Sequence, residues 1–434
     1  MQVLQVIMEG CLVVGGVWLT VMLIYQPYLT VFGFKRDTRD YQEHEPESRF
    51  LVLVPAHNEE KVIGDMIRNL QAMDYPAELY DFYIIADNCT DSTAEVARSL
   101  GAHVLVHEKD GPDAPTGKPI ALKAALEALG DYAARYDLLM IFDADNLMDT
   151  NMFREVNSQF LDKGRPDLIQ CYLGAKNKSG AVAWFYYTSY TVTNRFFQLA
   201  KHRLGLNCSV GGTGYAITTS YLKERGGWTT ASLTEDIEIQ VEATLDGRRI
   251  LWNHNTRVYD EKPTSFRASV RQKTRWAQGH WFVALRNTGK LFRQLFTGKL
   301  RFGEFVSVFL YMYSLSTYLV TLVMLLCTLL LMLPGFNYAA QNTSALSQVL
   351  GVLIFLYSYF GLFYMADWMD NGIRFQWRTL PMMLVSFVAN MAVGAISQVV
   401  GLCLWRHQQH WVKTEHKIRS SQADGPADRH TLEG

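Results

Sequence analysis

Residues 3–33 read VLQVIMEGCLVVGGVWLTVMLIYQPYLTVFG, with one acid, Glu9, and no base. A helix of about 20 apolar residues crosses a bilayer core, so this run is long enough to span. A secretory leader fits less well, because no basic stretch precedes the run and an h-region is only about 7–15 residues. Lys35 and Arg36 follow directly and place that end on the cytoplasmic side. Three further apolar runs close the chain: Phe305–Leu333, Leu346–Ala366 and Leu380–Trp405. The first connector, PGFNYAAQNTSA, has no Lys or Arg and reads as extracytoplasmic. The second, DWMDNGIRFQWR, carries Arg374 and Arg378 and reads as cytoplasmic. Three late spans from a cytoplasmic start would put the tail outside, yet RHQQHWVKTEHKIR is basic. Either one late run re-enters or lies in the interface, or the charge rule fails here.

The stretch between these runs has a different character. RFLVLVPAHNEE is a short apolar run ending at Pro55, followed by a helix opening. YDFYIIADNCTDST repeats that scheme, and AHVLVHE and YDLLMIFDADN supply two more runs, with helical periods between them. Buried runs alternating with helices indicate a mainly parallel sheet covered on both faces. In such sheets ligands bind beyond the carboxyl ends of the strands. His57, Asn58 and Glu59 collect after the first strand, Asp87 after the second, and Asp143 and Asp145 after the fourth. Neither a G-x-G-x-x-G after the first strand nor a P-loop pattern occurs, which disfavours dinucleotide oxidoreductases and P-loop motors. With 41 basic and 42 acidic residues the net charge is -1, which disfavours nucleic acid as a partner. The six cysteines form no CxxC pair and read as reduced thiols.

Three segments carry chemistry. Asp143 and Asp145 are two apart, so on a regular strand both side chains would point the same way. Converging carboxylates call for a cation, and a hard divalent ion such as Mg²⁺ or Mn²⁺ shared with a diphosphate meets that need. Their bland reading is a solvated turn. Glu235 and Asp236 open a helix, with Ser232 or Thr234 as N-cap, and capping alone accounts for Glu238. In RQKTRWAQGHW, Gln272 and Trp276 are four apart and would share one face of a helix. Arg275 suits a diphosphate through its planar fork. Read alone, that segment is better explained as a membrane-surface anchor.

In order, PAHNEE, ADNCTDST, TGKPIAL, FDADN, GGTGYAI, TEDIEIQ and QKTRW resemble the membrane-embedded family 2 glycosyltransferases, the cellulose, chitin and hyaluronan synthase relatives. The resemblance covers roughly Phe50 to Trp281 with the flanking spans. It implies a GT-A fold: a Rossmann-like α/β domain with a mainly parallel sheet, cytoplasmic, joined to transmembrane and interfacial helices. The expected division is a transmembrane helix over 1–34, the GT-A domain over 45–265 and a Q-x-x-R-W segment with interfacial helices over 266–304. A C-terminal membrane region over 305–405 and a polar, disordered tail over 406–434 complete it.

By the same resemblance His57, Asn58, Glu59 and Asp87 line the nucleotide pocket, and Lys118 binds the donor. Asp143 and Asp145 hold Mg²⁺ or Mn²⁺, and Asp236, beside Glu235, acts as general base. Gln272 and Arg275 contact the diphosphate, and Gly212, Thr213, Gly214 and Trp276 meet the acceptor. Two departures are His57, where Tyr is common, and DNCTD, which lacks an acid found in relatives. No extension for cyclic-dinucleotide control follows the Q-x-x-R-W segment.

The implied reaction is inverting transfer from a UDP-sugar, UDP-glucose or UDP-GlcNAc, that elongates a β-linked polysaccharide processively at the plasma membrane. Tyr311, Tyr313, Ser314, Ser316, Thr317 and Tyr318 offer a face for a sugar polymer, or an interfacial aromatic belt. The alternatives are a single transfer to a lipid acceptor, as in ceramide glucosyltransferases, and a transporter with an inert soluble domain.

Overall fold

A computed structural model describes residues 2–111, 114–333 and 360–408. Its centre is an eight-stranded sheet: β1 (Phe50–Ala56), β2 (Tyr80–Asp87), β3 (His103–His107), β4 (Leu138–Ile141), β5 (Leu147–Met148), β6 (Leu168–Ala175), β7 (Tyr215–Thr218) and β8 (Ile250–Asp260). The order is β3-β2-β1-β4-β7-β6-β8-β5. β1 pairs in parallel with β2 and β4, and β2 with β3. β7 runs antiparallel between β4 and β6, while β6 and β8 are parallel. The parallel half is the one the apolar runs predict. The antiparallel β7 comes from YAIT, whose four residues are wholly buried and carry no alternation to reveal direction.

Two apolar layers cover the sheet. Val52, Val54, Ile84 and Met140 face one, packed on Met66, Ile67 and Phe153; Leu51, Leu53, Ile85 and Ile141 face the other, on Leu122 and Ala125. This alternation within each strand is why runs buried on both sides look continuous in sequence.

Among the described residues two helices are long and apolar enough to cross a membrane: Gln2–Gly33, with a mean hydropathy of 2.1, and Trp377–Cys403, at 1.8. The run expected to span from Phe305 to Leu333 is broken. It forms the helices Phe302–Met312 and Ser316–Leu331, bent by 64° to each other, a broken span or a re-entrant loop. Of the run Leu346–Ala366, only residues 360–366 are described, as part of a helix over 360–371. The connector PGFNYAAQNTSA and the ending WVKTEH lie outside the described residues. All six cysteines are free.

A buried polar cluster ties the membrane side to the sheet domain. Asp370 pairs with Arg195 and lies 3.0 Å from His254, and its carbonyl accepts from Arg257 at 2.8 Å. Arg195 and Asp370 side chains are each 1% exposed, so neither partner is replaceable by water. Losing one partner of such a pair leaves a buried charge and costs about 3–5 kcal/mol.

Candidate active site

The carboxyl ends of β1, β2 and β4 open into one cavity of about 930 Å³. It is walled on the far side by the long helix Phe266–Phe296, whose hydroxyl cap is Ser265. At the β2 end, Asp87 is 6% exposed. Its Oδ1 accepts from Asn88 Nδ2 at 2.7 Å and from the His107 ring at 2.8 Å. His57 donates through Nδ1 to the Asp87 carbonyl at 2.7 Å and lines the cavity with Glu59. Asn58 does not line it. With φ +57° it turns the chain after β1, and its side chain accepts from the Thr90 amide at 2.7 Å. Asn58, expected in the nucleotide pocket, is thus seen supporting the loop beside it.

Asp143 and Asp145 both reach the cavity, but not from a strand. β4 stops at Ile141, and the Asn146 amide closes a turn on the Asp143 carbonyl at 3.0 Å. Strand alternation is therefore not what brings them together. Asp145 is buried and accepts from Asn146 Nδ2 at 3.2 Å and from the Glu261 amide at 3.1 Å. Asp143 is more open and accepts from Lys118 Nζ at 2.7 Å. Among the described residues no three His, Cys, Asp or Glu side chains form a metal cluster. Two hard carboxylates fit a cation such as Mg²⁺ that completes its shell with substrate phosphate, and do not fit a closed protein cage.

Lys118 is the first residue of the helix Lys118–Leu129, where Pro119 follows at a position that needs no N–H. Its Nζ also lies 3.5 Å from Glu235 and donates to the Gly212 carbonyl. Burial alone would lower its pKa; Asp143, Glu235 and Asp236 outweigh that and hold it above the ordinary lysine value.

Glu235 and Asp236 begin the helix Glu235–Leu245. Burial, then the Glu235 charge, push Asp236 up to about 7, against the Ile237 amide, Lys118 and Arg275. Gly212 packs against this carboxylate: with φ +80°, a Cβ there would sit 3.2 Å from Asp236 Oδ2. Thr213 also lines the cavity and accepts from the Asp143 amide at 3.2 Å. Gly214 does not line it. Its carbonyl serves Cys171 and Gln170, and a Cβ would meet Val258 at 2.4 Å, so the acceptor role expected of it is instead a packing requirement. Thr234 occupies the N-cap position without a side-chain cap bond, and Glu238 accepts from the Ala231 and Ser232 amides at 2.9 and 2.7 Å.

Gln272, Arg275 and Trp276 lie on the long helix and all line the cavity, as spacing on one face requires. The surface-anchor reading of this segment fails for those three residues. Arg275 donates to the Leu233 carbonyl at 3.2 Å, and Trp276 meets Tyr186 edge to face at 6.1 Å. Several lining residues carried no motif. His107, at the carboxyl end of β3 where the strand-end rule points, does not line the cavity itself and reaches the site through Asp87. Asp260 ends β8 and so also obeys the strand-end rule, and Tyr311 belongs to the aromatic run read as a sugar-facing surface; Tyr190 and Gln408 come from elements far apart in sequence and had no such signal.

Residues 46–279 match the model of glycosyltransferase like family 2. The probable glycosyltransferase YdaM of Bacillus subtilis is 25% identical over 63% of this chain and 66% of its own length. A beta-monoglucosyldiacylglycerol synthase of Nostoc is 27% identical over 54% of this chain and 51% of its own. A poly-beta-1,6-N-acetyl-D-glucosamine synthase of Staphylococcus epidermidis is 23% identical over 61% and 62%. The alignments thus span about half to two thirds of these relatives. In fold, the chain matches the mannosyltransferase PcManGT of Pyrobaculum calidifontis, solved with GDP-Man and Mn²⁺, at a TM-score of 0.57. That likeness covers 90% of this chain and 99% of the other at 16% identity. With more than half of its residues matched, and Asp87, Asp143, Asp145, Glu235 and Asp236 of its motifs facing one cavity, the chain belongs to glycosyltransferase family 2 and carries its GT-A domain.

Proposed function

We propose that this chain is a membrane-embedded, inverting hexosyltransferase that takes a UDP-sugar, UDP-glucose or UDP-GlcNAc, and elongates a β-linked polysaccharide. The observation that carries the reading is Asp236: a half-buried carboxylate with its pKa pushed up to about 7, beside Lys118 and Arg275, in the cavity that also receives Asp143 and Asp145. A base poised near neutrality both accepts a proton and remains ionised in use.

In this reading the acceptor hydroxyl gives its proton to Asp236 as its oxygen bonds to the anomeric carbon. The bond from that carbon to the diphosphate breaks on the opposite side. An α-linked donor therefore yields a β product. Lys118 and Arg275 hold positive charge where the leaving diphosphate gathers negative charge, and do so without reorganising. Asp87, steadied by His107, orients the nucleoside, and Trp276 offers a face to the acceptor sugar. Mg²⁺ or Mn²⁺ at Asp143 and Asp145 supplies further charge neutralisation of the diphosphate when bound.

Polymer elongation is supported by polar residues that continue past Trp276 on the membrane side. Trp281 Nε1 donates to Gln398 at 3.0 Å, and Asn390 to the Tyr318 hydroxyl at 2.8 Å. Polar groups of that kind within apolar helices mark functional paths more often than packing. The catalytic domain is placed in the cytoplasm of a multi-pass plasma-membrane protein. The test is incubation of purified protein with labelled UDP-glucose, UDP-GlcNAc and UDP-galactose, with Mn²⁺, Mg²⁺ or EDTA. A high-mass product supports this reading, a lipid-soluble product replaces polymer by a lipid acceptor, and no transfer under any condition overturns it.

A further inference from the structure

The loop Trp228–Thr234 leads directly into Glu235 and Asp236 and lines the cavity. Its own side chains do little to hold it. Among the described residues, Trp228 Nε1, Thr230 Oγ1, Ser232 Oγ and Thr234 Oγ1 are all buried without a hydrogen-bond partner. A buried polar atom left unpaired disfavours the arrangement that buries it, so groups outside the loop must keep it in place. Glu238 does so from inside, through the Ala231 and Ser232 amides. Leu233 is gripped at both backbone groups. Arg275 donates to its carbonyl, and its amide donates to Gln408 Oε1 at 2.8 Å.

Gln408 comes from beyond the last apolar helix, Leu380–Cys403. It is itself fixed: Nε2 donates to the Trp405 carbonyl at 2.6 Å and the Gln278 carbonyl at 3.3 Å. Gln278 answers by donating to the Leu404 carbonyl at 3.4 Å. Residues 404–408 therefore dock on the long helix one turn past Arg275, instead of opening a free polar tail at 406. The other partner of Leu233, Arg275, stands on that same helix.

We propose that Gln408 is a positioning residue for the catalytic acids: its side-chain carbonyl, held by the end of the last membrane helix, sets Leu233 and through it the helix start that carries Asp236. The catalytic part of this statement rests on the transfer reaction proposed above; the strap itself does not. The membrane region thereby acts on the base through Leu233, and movement of the last helix relative to the long helix releases the loop.

The test uses the full chain in detergent or nanodiscs, with Gln408→Leu, which keeps bulk and loses both hydrogen-bonding functions, and Gln408→Glu, which keeps an accepting oxygen for Leu233. Hydrogen–deuterium exchange of the peptide covering 228–236 reads the strap without any substrate. Exchange should quicken by roughly tenfold in Gln408→Leu, as loss of one hydrogen bond implies, and clearly less in Gln408→Glu. Sugar transfer is measured in parallel. It should fall by roughly tenfold in kcat for Gln408→Leu, with donor KM unchanged and partial recovery in Gln408→Glu. Unchanged exchange in Gln408→Leu overturns the strap. Quickened exchange with an unchanged kcat overturns the positioning role. Quickened exchange in Gln408→Leu, together with a wild type that transfers no sugar, upholds the strap and refutes the reaction assigned to the site.

Discussion

The two ends of the cavity are held together in opposite ways. At the donor end, side chains satisfy one another: Asp87 with His107 and Asn88, Asp143 with Lys118, Thr213 with the Asp143 amide. At the acceptor end, the loop Trp228–Thr234 keeps several polar atoms unpaired and depends on Glu238, Arg275 and Gln408 from elsewhere. The first arrangement is preorganised, which favours binding a ligand of constant shape such as a nucleoside diphosphate. The second stores the capacity to rearrange, which suits an acceptor that must enter and move on. Asp236 stands at the seam between them, and so is the place to break the comparison.

The largest effect is expected from Asp236→Asn. Transfer should drop by about a thousandfold or more, in keeping with removal of a general base. UDP binding, measured by calorimetry, should stay within a few-fold, because the donor end is untouched. Comparable transfer in this variant would remove Asp236 from the mechanism.

Lys118→Met should cost roughly a hundredfold in kcat/KM, since one positive charge facing the leaving group is lost. It also sharpens the comparison through pH. Asp236 works as a base when ionised, so activity should fall as pH drops below about 7. Lys118 favours the ionised form, so its removal should move that limb to higher pH. Glu235 opposes it, so Glu235→Gln should move the limb to lower pH. Shifts of the same sign in both variants would contradict the charge arrangement.

Gly279→Ala probes the acceptor end. A Cβ at 279 would lie 2.0 Å from Thr234 Oγ1, so the long helix and the loop must separate. The expected cost is about 1–3 kcal/mol of stability, read as a lower thermal midpoint, with transfer reduced more than UDP binding. The smallest effect should come from His107→Ala. It removes one hydrogen bond to Asp87 and should raise donor KM about fivefold with kcat unchanged. A change in kcat there would mean that the two ends are not separable.

Much of the donor end was legible from residue order. Strand runs ending in Pro55, Asp87 and the FDADN acids announce a sheet with a site at its carboxyl edge. The acids Asp143, Asp145, Glu235 and Asp236, and Gln272, Arg275 and Trp276, meet in one cavity as their order predicts. Asn58 and Gly214 stand off the cavity for a common reason. A motif marks a stretch of chain, whereas backbone turns at φ +57° and +61° decide which of its residues face the ligand. The 64° bend between Phe302–Met312 and Ser316–Leu331 was equally hidden, since YMYSLS carries no Pro or Gly to mark a break.

By itself, then, the sequence determined the local periods: where strands and helices form, which ends are apolar enough for a bilayer, and which acids sit at chain turns. Those are short-range properties of side chains and backbone. Only the tertiary structure decided that β7 inserts antiparallel beside β4, that Lys118 bridges Asp143 and Glu235, and that Gln408 reaches back to Leu233. Each of these joins residues roughly 25–175 positions apart. Such contacts form only when the burial of many apolar groups offsets the entropy of closing the chain between them, and no local pattern records that sum.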